Sequence, residues 1–95
     1  MMEELKTELI SLISELFNNN GFDIDIIEYA DLVDDMGMDS ITFISIVVEI
    51  EAKFNITVPD DLLSMDNFRK VDDIVKIVEN ELSLKAAETR VAGNV

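Results

Sequence analysis

Apolar residues set out the elements of this chain. From Glu3 to Phe17, Leu5, Leu9, Leu12, Ile13, Leu16 and Phe17 recur at three- and four-residue steps, the spacing of one helix face. Asn18-Asn19-Asn20-Gly21 is expected to stop this first helix, because Asn and Gly tolerate left-handed backbone. Positions 22–39 then lose the period, mixing Phe22, Ile24, Ile27, Tyr29, Leu32, Val33 and Met36 with carboxylates. A long connection with so many apolar side chains is expected to be pinned to a core, and a turn of helix fits near Ile26 to Tyr29. The stretch Ile41 to Phe54 is rich in β-branched residues, which alone favour a strand. Its polar positions Thr42, Ser45, Glu49 and Lys53 nevertheless fall at steps of three, four and four, tracing one helical stripe. A second helix therefore starts at Ser40, with Asp39 as its N-cap. Pro59, Asp60 and Asp61 predict a short third helix over roughly 60–66. Val71, Ile74, Val75, Val78 and Leu82 share one face of a fourth, reaching about Leu84.

The pattern predicts an all-α domain, a four-helix bundle with a long loop between helices one and two and a short third helix. At 95 residues the chain makes one core, over residues 1–84, with 85–95 expected to fray as a tail. Hydrophobic residues make up 48% of it, so a net charge of -14 does not imply disorder. That charge repels phosphate backbones and anionic lipids and attracts basic protein surfaces, so neither nucleic acid nor membrane is expected as a partner. The absence of Cys and His removes disulfides, thiolate catalysis, ordinary zinc sites and any Ser-His-Asp triad. A start of Met1-Met2-Glu3-Glu4 lacks a basic leader, and no apolar run reaches the ~18 residues that cross a bilayer, so a cytoplasmic protein is expected, and a monomer is the expected state.

Ser40 carries the candidate chemistry. It closes Asp31-Leu32-Val33-Asp34-Asp35-Met36-Gly37-Met38-Asp39-Ser40 and opens the most apolar helix. Alone, a Ser at a helix start reads as a simple cap. A phosphate ester there would nevertheless be supported by free amides and the positive end of the helix dipole, and Gly37 allows a tight backbone turn before it.

Asp34 to Ser40, above all Gly37-Met38-Asp39-Ser40-Ile41, resembles the phosphopantetheine attachment motif of acyl carrier proteins, in which an Asp-Ser pair opens the second of four helices. The resemblance continues through Glu49-Ile50-Glu51-Ala52-Lys53-Phe54-Asn55-Ile56-Thr57-Val58-Pro59-Asp60 and covers the chain to about Leu84. It implies a carrier without catalytic residues of its own. Ser40, preceded by Gly37 and Asp39 as further site residues, would receive 4'-phosphopantetheine from coenzyme A through a phosphopantetheinyl transferase. The arm's thiol would then hold acyl or peptidyl groups as thioesters. The implied partners are an acyl- or aminoacyl-activating ligase and condensing or acyl-transfer enzymes, met in trans.

Helix two is apolar over more of its circumference than a bundle can bury. By spacing, Ile41, Ile44 and Val48 share one face, taken with Met38 as the partner-docking surface, and Phe43, Ile46, Val47 and Ile50 lie toward the core. Thr42 and Ser45 stand where fatty-acid-synthesis carriers usually place acidic residues. Asp39-Ser40-Ile41-Thr42-Phe43-Ile44 thus looks more like polyketide and nonribosomal carriers, and a D-alanyl carrier also fits. An acidic helical adaptor with unmodified Ser40 is the rival reading. Asp23-Ile24-Asp25 begins like a calcium loop but lacks the later Gly and Glu, so no specific metal site is expected.

Positions 23–39 hold seven carboxylates and no basic residue. Their repulsion predicts a melting temperature that rises from low to moderate salt, or with divalent cations. Thermal scans across ionic strength check it, and a flat profile would contradict it.

Overall fold

The computed structural model describes residues 2–17 and 24–93. Among them are four α-helices: α1 (Met2–Leu16), α2 (Ile24–Tyr29), α3 (Ser40–Phe54) and α4 (Val71–Gly93). Helix α1 is central and packs on the other three. The short α2 is the turn of helix expected inside the long connection. The stop at 18–21 and the carboxylate of Asp23 lie outside the described residues.

Helix α3 forms despite its β-branched content because both ends are closed. The Asp39 side chain accepts from the Thr42 amide at 2.8 Å, and the Asp39 carbonyl accepts from Phe43 N–H at 2.8 Å. At the other end Asn55 takes the left-handed conformation, φ 54° and ψ 50°, and its amide donates to the Glu51 carbonyl. Between these caps Phe43, Ile46, Val47 and Ile50 are buried, at the three- and four-residue spacing of one face. They meet Leu9 and Ile13 of α1, Phe68, and Ile74 and Val78 of α4 in one core.

Two elements depart from the pattern-based expectation. In place of a short third helix over 60–66 there are two 3₁₀ turns, Asp60–Leu62 and Met65–Phe68. Extended Ser64 separates them, its hydroxyl accepting from the Asp66 amide at 3.3 Å, a local bond that competes with a continuous helix. Helix α4 also continues past Leu84 to Gly93. Lys85, Ala86 and Ala87 are strong helix formers, and no Pro or Gly intervenes before Gly93. No described helix is long and apolar enough to cross a membrane.

Ion pairs at the seams supplement the core. Lys6 of α1 reaches Asp72 of α4 at 2.9 Å and Glu28 of α2 at 3.0 Å, so one ammonium joins three helices. These bonds, Asp72 first, push its pKa up to about 12.

The rotation of α3 has a direct test. Ile46→Ala and Ile50→Ala should each lower unfolding stability by ~2–5 kcal/mol, the usual cost of a truncated buried Ile. Ile44→Ala and Val48→Ala, on the exposed face, should each change it by about 0.5 kcal/mol or less. Chemical denaturation of the four variants measures both, and a large loss at Ile44 or Val48 would mean the helix is turned the other way.

Candidate functional site

Residues 31–39 form a folded strap leading into α3. Asp31 organises its start: Oδ1 accepts from the amides of Val33 (2.9 Å) and Asp34 (2.8 Å), and its own amide donates to Asp35 Oδ2 (2.8 Å). Backbone bonds from Asp35 N–H to Asp31 O and from Gly37 N–H to Val33 O wind the middle into a turn. Gly37 takes φ +72°, a conformation that strains any residue with a Cβ although the space beside it is open. The chain then doubles back, and Met38 N–H donates to Leu32 O at 2.8 Å.

Arg69, at the end of the second 3₁₀ turn, anchors this strap. Its carbonyl accepts from Leu32 N–H at 2.7 Å. Its Nε donates to Asp31 Oδ2 at 2.9 Å and one terminal nitrogen donates to Asp34 Oδ2 at 2.7 Å. The bond to Asp31 is the main influence raising the guanidinium's pKa. The carboxyl of Asp31 is held below the usual range, first by the Asp34 amide and then by Arg69 and the Val33 amide. Asp39 is lowered too, first by the Thr42 amide and then by the Thr42 hydroxyl.

Ser40 is the first residue of α3 and is exposed. It follows the Asp39 cap directly and the Gly37 turn by three positions, so the strap's geometry determines where its hydroxyl emerges. Below it the α3 N-terminus is fixed by Phe43, whose ring meets Phe68 edge-on at 5.3 Å between centroids. Along the helix, Ile41, Ile44 and Val48 form an apolar ridge, 78%, 55% and 54% exposed. Met38 does not belong to that face. It is only 3% exposed and packs in the core, because the backbone reversal after Gly37 turns it inward.

Arg69 went unnoticed in the sequence, although a signal existed. A run of seven carboxylates without a cation requires a counter-charge from elsewhere, and only seven Lys and Arg exist in the whole chain.

No polar or charged residue among those described is buried, so any chemistry they perform is at the surface. Two open clefts, of about 540 Å³ between the C-terminal end of α3 and α4 and about 490 Å³ between α1 and α3, are not lined by Ser40. Among the described residues no carboxylate cluster is arranged to hold a metal ion. An exposed hydroxyl at the positive end of a capped helix fits a covalent phosphate ester, which needs open space outward and little else from the protein.

Comparison with known proteins agrees with this geometry. The profile of the family described as the phosphopantetheine attachment site matches residues 7–78. The chain is 31% identical over 80 residues to an acyl carrier protein of Thermotoga maritima, covering 84% of this chain and 94% of that protein. It is 30% identical over 77 residues to one from Kocuria rhizophila, covering 79% and 93%. It is 25% identical over 79 residues to aminoacyl carrier protein 1 of Bradyrhizobium diazoefficiens, covering 83% and 87%.

The strap should be acid-sensitive in a defined sense. Because the Asp31 carboxyl is depressed in the folded state, its stabilisation is present above the unfolded carboxylate pKa of about 3.9 and is lost as pH falls through the lower folded value. Asp31→Asn should therefore melt below the wild type near neutral pH, and the gap should close in the acid range. Melting curves of both proteins from pH 7 downward check the sign, and a gap that widens on acidification would contradict it.

Proposed function

This chain belongs to the acyl carrier protein family, whose members carry covalent 4'-phosphopantetheine, and we propose that Ser40 is the residue that receives it here. The observation that carries this reading is the exposed Ser40 hydroxyl at the first position of α3, directly behind the Asp39 cap and the positive-φ Gly37 turn. Modification by a transferase with coenzyme A places the phosphate beside the positive helix end. The arm supplies the thiol that this Cys-free chain lacks, and acyl intermediates ride on it as thioesters. This chain's own residues position the hydroxyl and present a face to enzymes; none of them takes part in bond making beyond Ser40.

The apolar ridge Ile41, Ile44, Val48 begins one residue from the attachment point, which suits it to guiding the transferase, an activating ligase and acyl-transfer or condensing enzymes onto Ser40. The first turn of α3 contains no acidic residue, so contact there rests on apolar burial more than on ion pairs. Surface acidity elsewhere, within a net charge of -14, favours encounter with basic partner surfaces. We assign the chain to a carrier of polyketide or nonribosomal type, presenting its cargo to enzymes in trans in the cytoplasm. The name of the Bradyrhizobium relative adds support for aminoacyl cargo, and with it the D-alanyl variant of the same role.

Incubation with coenzyme A and a broad-specificity transferase should add a single phosphopantetheine, read by intact-protein mass spectrometry, and Ser40→Ala should abolish the addition. Ile44→Ala and Val48→Ala should fold normally and be modified more slowly. Modification persisting in Ser40→Ala would sink the assignment, and an unmodified wild type would favour an adaptor role.

A further inference from the structure

The Phe68-Arg69 pair touches both sides of the Ser40 position. Phe68 is fully buried and meets Phe43, three residues past Ser40 on α3. Arg69 holds the strap before Ser40 at three points: a backbone bond to Leu32, a side-chain bond to Asp31 and another to Asp34. The third carboxylate near it, Asp66, is 3.8 Å away and 86% exposed, a weak contact beside the other two. The Asp31 side chain is 17% exposed and that of Arg69 32%, so this pair is better shielded from solvent than an ordinary surface ion pair. The two arms of the guanidinium go to different carboxylates, one at the start of the strap and one on its outer turn. The planar fork fixes both directions from two separate nitrogens at once, whereas a Lys ammonium, which can also meet two carboxylates as Lys6 does, must reach both from one point on a flexible stem.

We propose that Arg69 is a positioning residue for the modification of Ser40. By bridging Asp31 and Asp34 it holds the 31–39 strap in the single conformation from which the transferase takes the Ser40 hydroxyl. The inference rests on Ser40 being the attachment site. The core does not need the bridge. Leu32, Met36 and Met38 remain buried by their own apolar contacts, and the Leu32–Arg69 bond is made by backbone that any residue at 69 retains. Without the fork, Asp34 and Asp31 face each other and Asp35 without a counter-charge, and the outer turn samples other conformations. The transferase then binds only the fraction that keeps the native strap. Its apparent affinity falls by that fraction while the chemical step, once the complex has formed, is unchanged. A coupling of this kind shows in KM and not in kcat.

The test is steady-state modification of the full chain by coenzyme A and a broad-specificity phosphopantetheinyl transferase, together with chemical denaturation and amide exchange at Leu32 and Met38. Arg69→Gln should raise KM for the carrier on the order of tenfold, as a competent fraction near a tenth implies, with kcat within about twofold of wild type. Faster exchange at Met38 should accompany it, with little change in the amides of α3. Arg69→Lys, which keeps the charge and loses the fork, should lie nearer to the Gln variant than to the wild type. A wild-type KM in Arg69→Gln, a fall in kcat in place of a rise in KM, or full rescue by Lys would each overturn the proposal. Should Arg69→Gln lose its fold, Asp34→Asn removes only the outer, exposed arm. It should raise KM by a smaller factor with an unchanged denaturation midpoint, and a wild-type KM there overturns the proposal equally. Failure of the attachment reading looks different: the wild type remains unmodified, or Ser40→Ala is modified.

Discussion

The 2.7 Å bond from the Leu32 amide to the Arg69 carbonyl joins the connection before α3 to the connection after it, and the position of α3 depends on that joint. The strap of residues 31–39 would otherwise be a tether between α2 and α3, long enough to leave the start of α3 undefined. Pinned at Leu32, it returns on itself through Met38, whose amide bonds the Leu32 carbonyl at 2.8 Å, so one residue is fixed at both its N–H and its C=O. Leu32 is itself fully buried. Everything after it, the positive-φ Gly37, the Asp39 cap and the first turn of α3, inherits its placement from that anchored residue.

Electrostatics explains why the joint sits where it does. The domain is strongly acidic, and its core contains no polar or charged residue among those described, so carboxylates crowd the surface and the connections. Two of the cations are placed at seams. Lys6 joins α1, α2 and α4 through Glu28 and Asp72, and Arg69 joins the second 3₁₀ turn to the strap through Asp31 and Asp34. Remaining strap carboxylates bond backbone amides: Asp39 that of Thr42 and Asp35 that of Asp31. Charge-assisted bonds to amides are stronger than neutral ones, so an acidic sequence is used here to fold irregular backbone that has no sheet or helix to satisfy it.

What could be read from sequence follows from how local each determinant is. The first helix, the start and end of α3 and its Asp39 cap were legible, because each is set by residues within a turn of one another. The division of α3 into a buried face with Phe43, Ile46 and Ile50 and an exposed ridge with Ile41, Ile44 and Val48 was legible because periodicity is a local property as well. Met38 was misplaced because it follows a Gly at φ +72°, and beyond such a residue no helical period determines where a side chain points. The paired 3₁₀ turns depend on one hydroxyl, that of Ser64, choosing an amide two residues on. Arg69 lies 38 positions from Asp31, a separation over which pattern carries no information, and only the unbalanced charge of the strap hinted that a partner had to exist.

The exposed ridge on α3 and the anchored strap before it are two halves of one constraint. A ridge of Ile41, Ile44 and Val48 left in solvent gains nothing for folding, and its retention in so small a domain is consistent with contacts made to something outside it. Such contacts can orient a nearby hydroxyl only if the ridge and the hydroxyl share a rigid frame. Burial of Phe43 against Phe68 fixes the rotation of α3, and thereby the direction of the ridge. The neighbouring Arg69 fixes the approach of the strap, and thereby the emergence of Ser40. Because Phe68 and Arg69 are adjacent in the chain, these two directions cannot shift independently. On the role proposed for Ser40, a partner that grips the ridge would meet its hydroxyl at one orientation, which is the condition for fast group transfer.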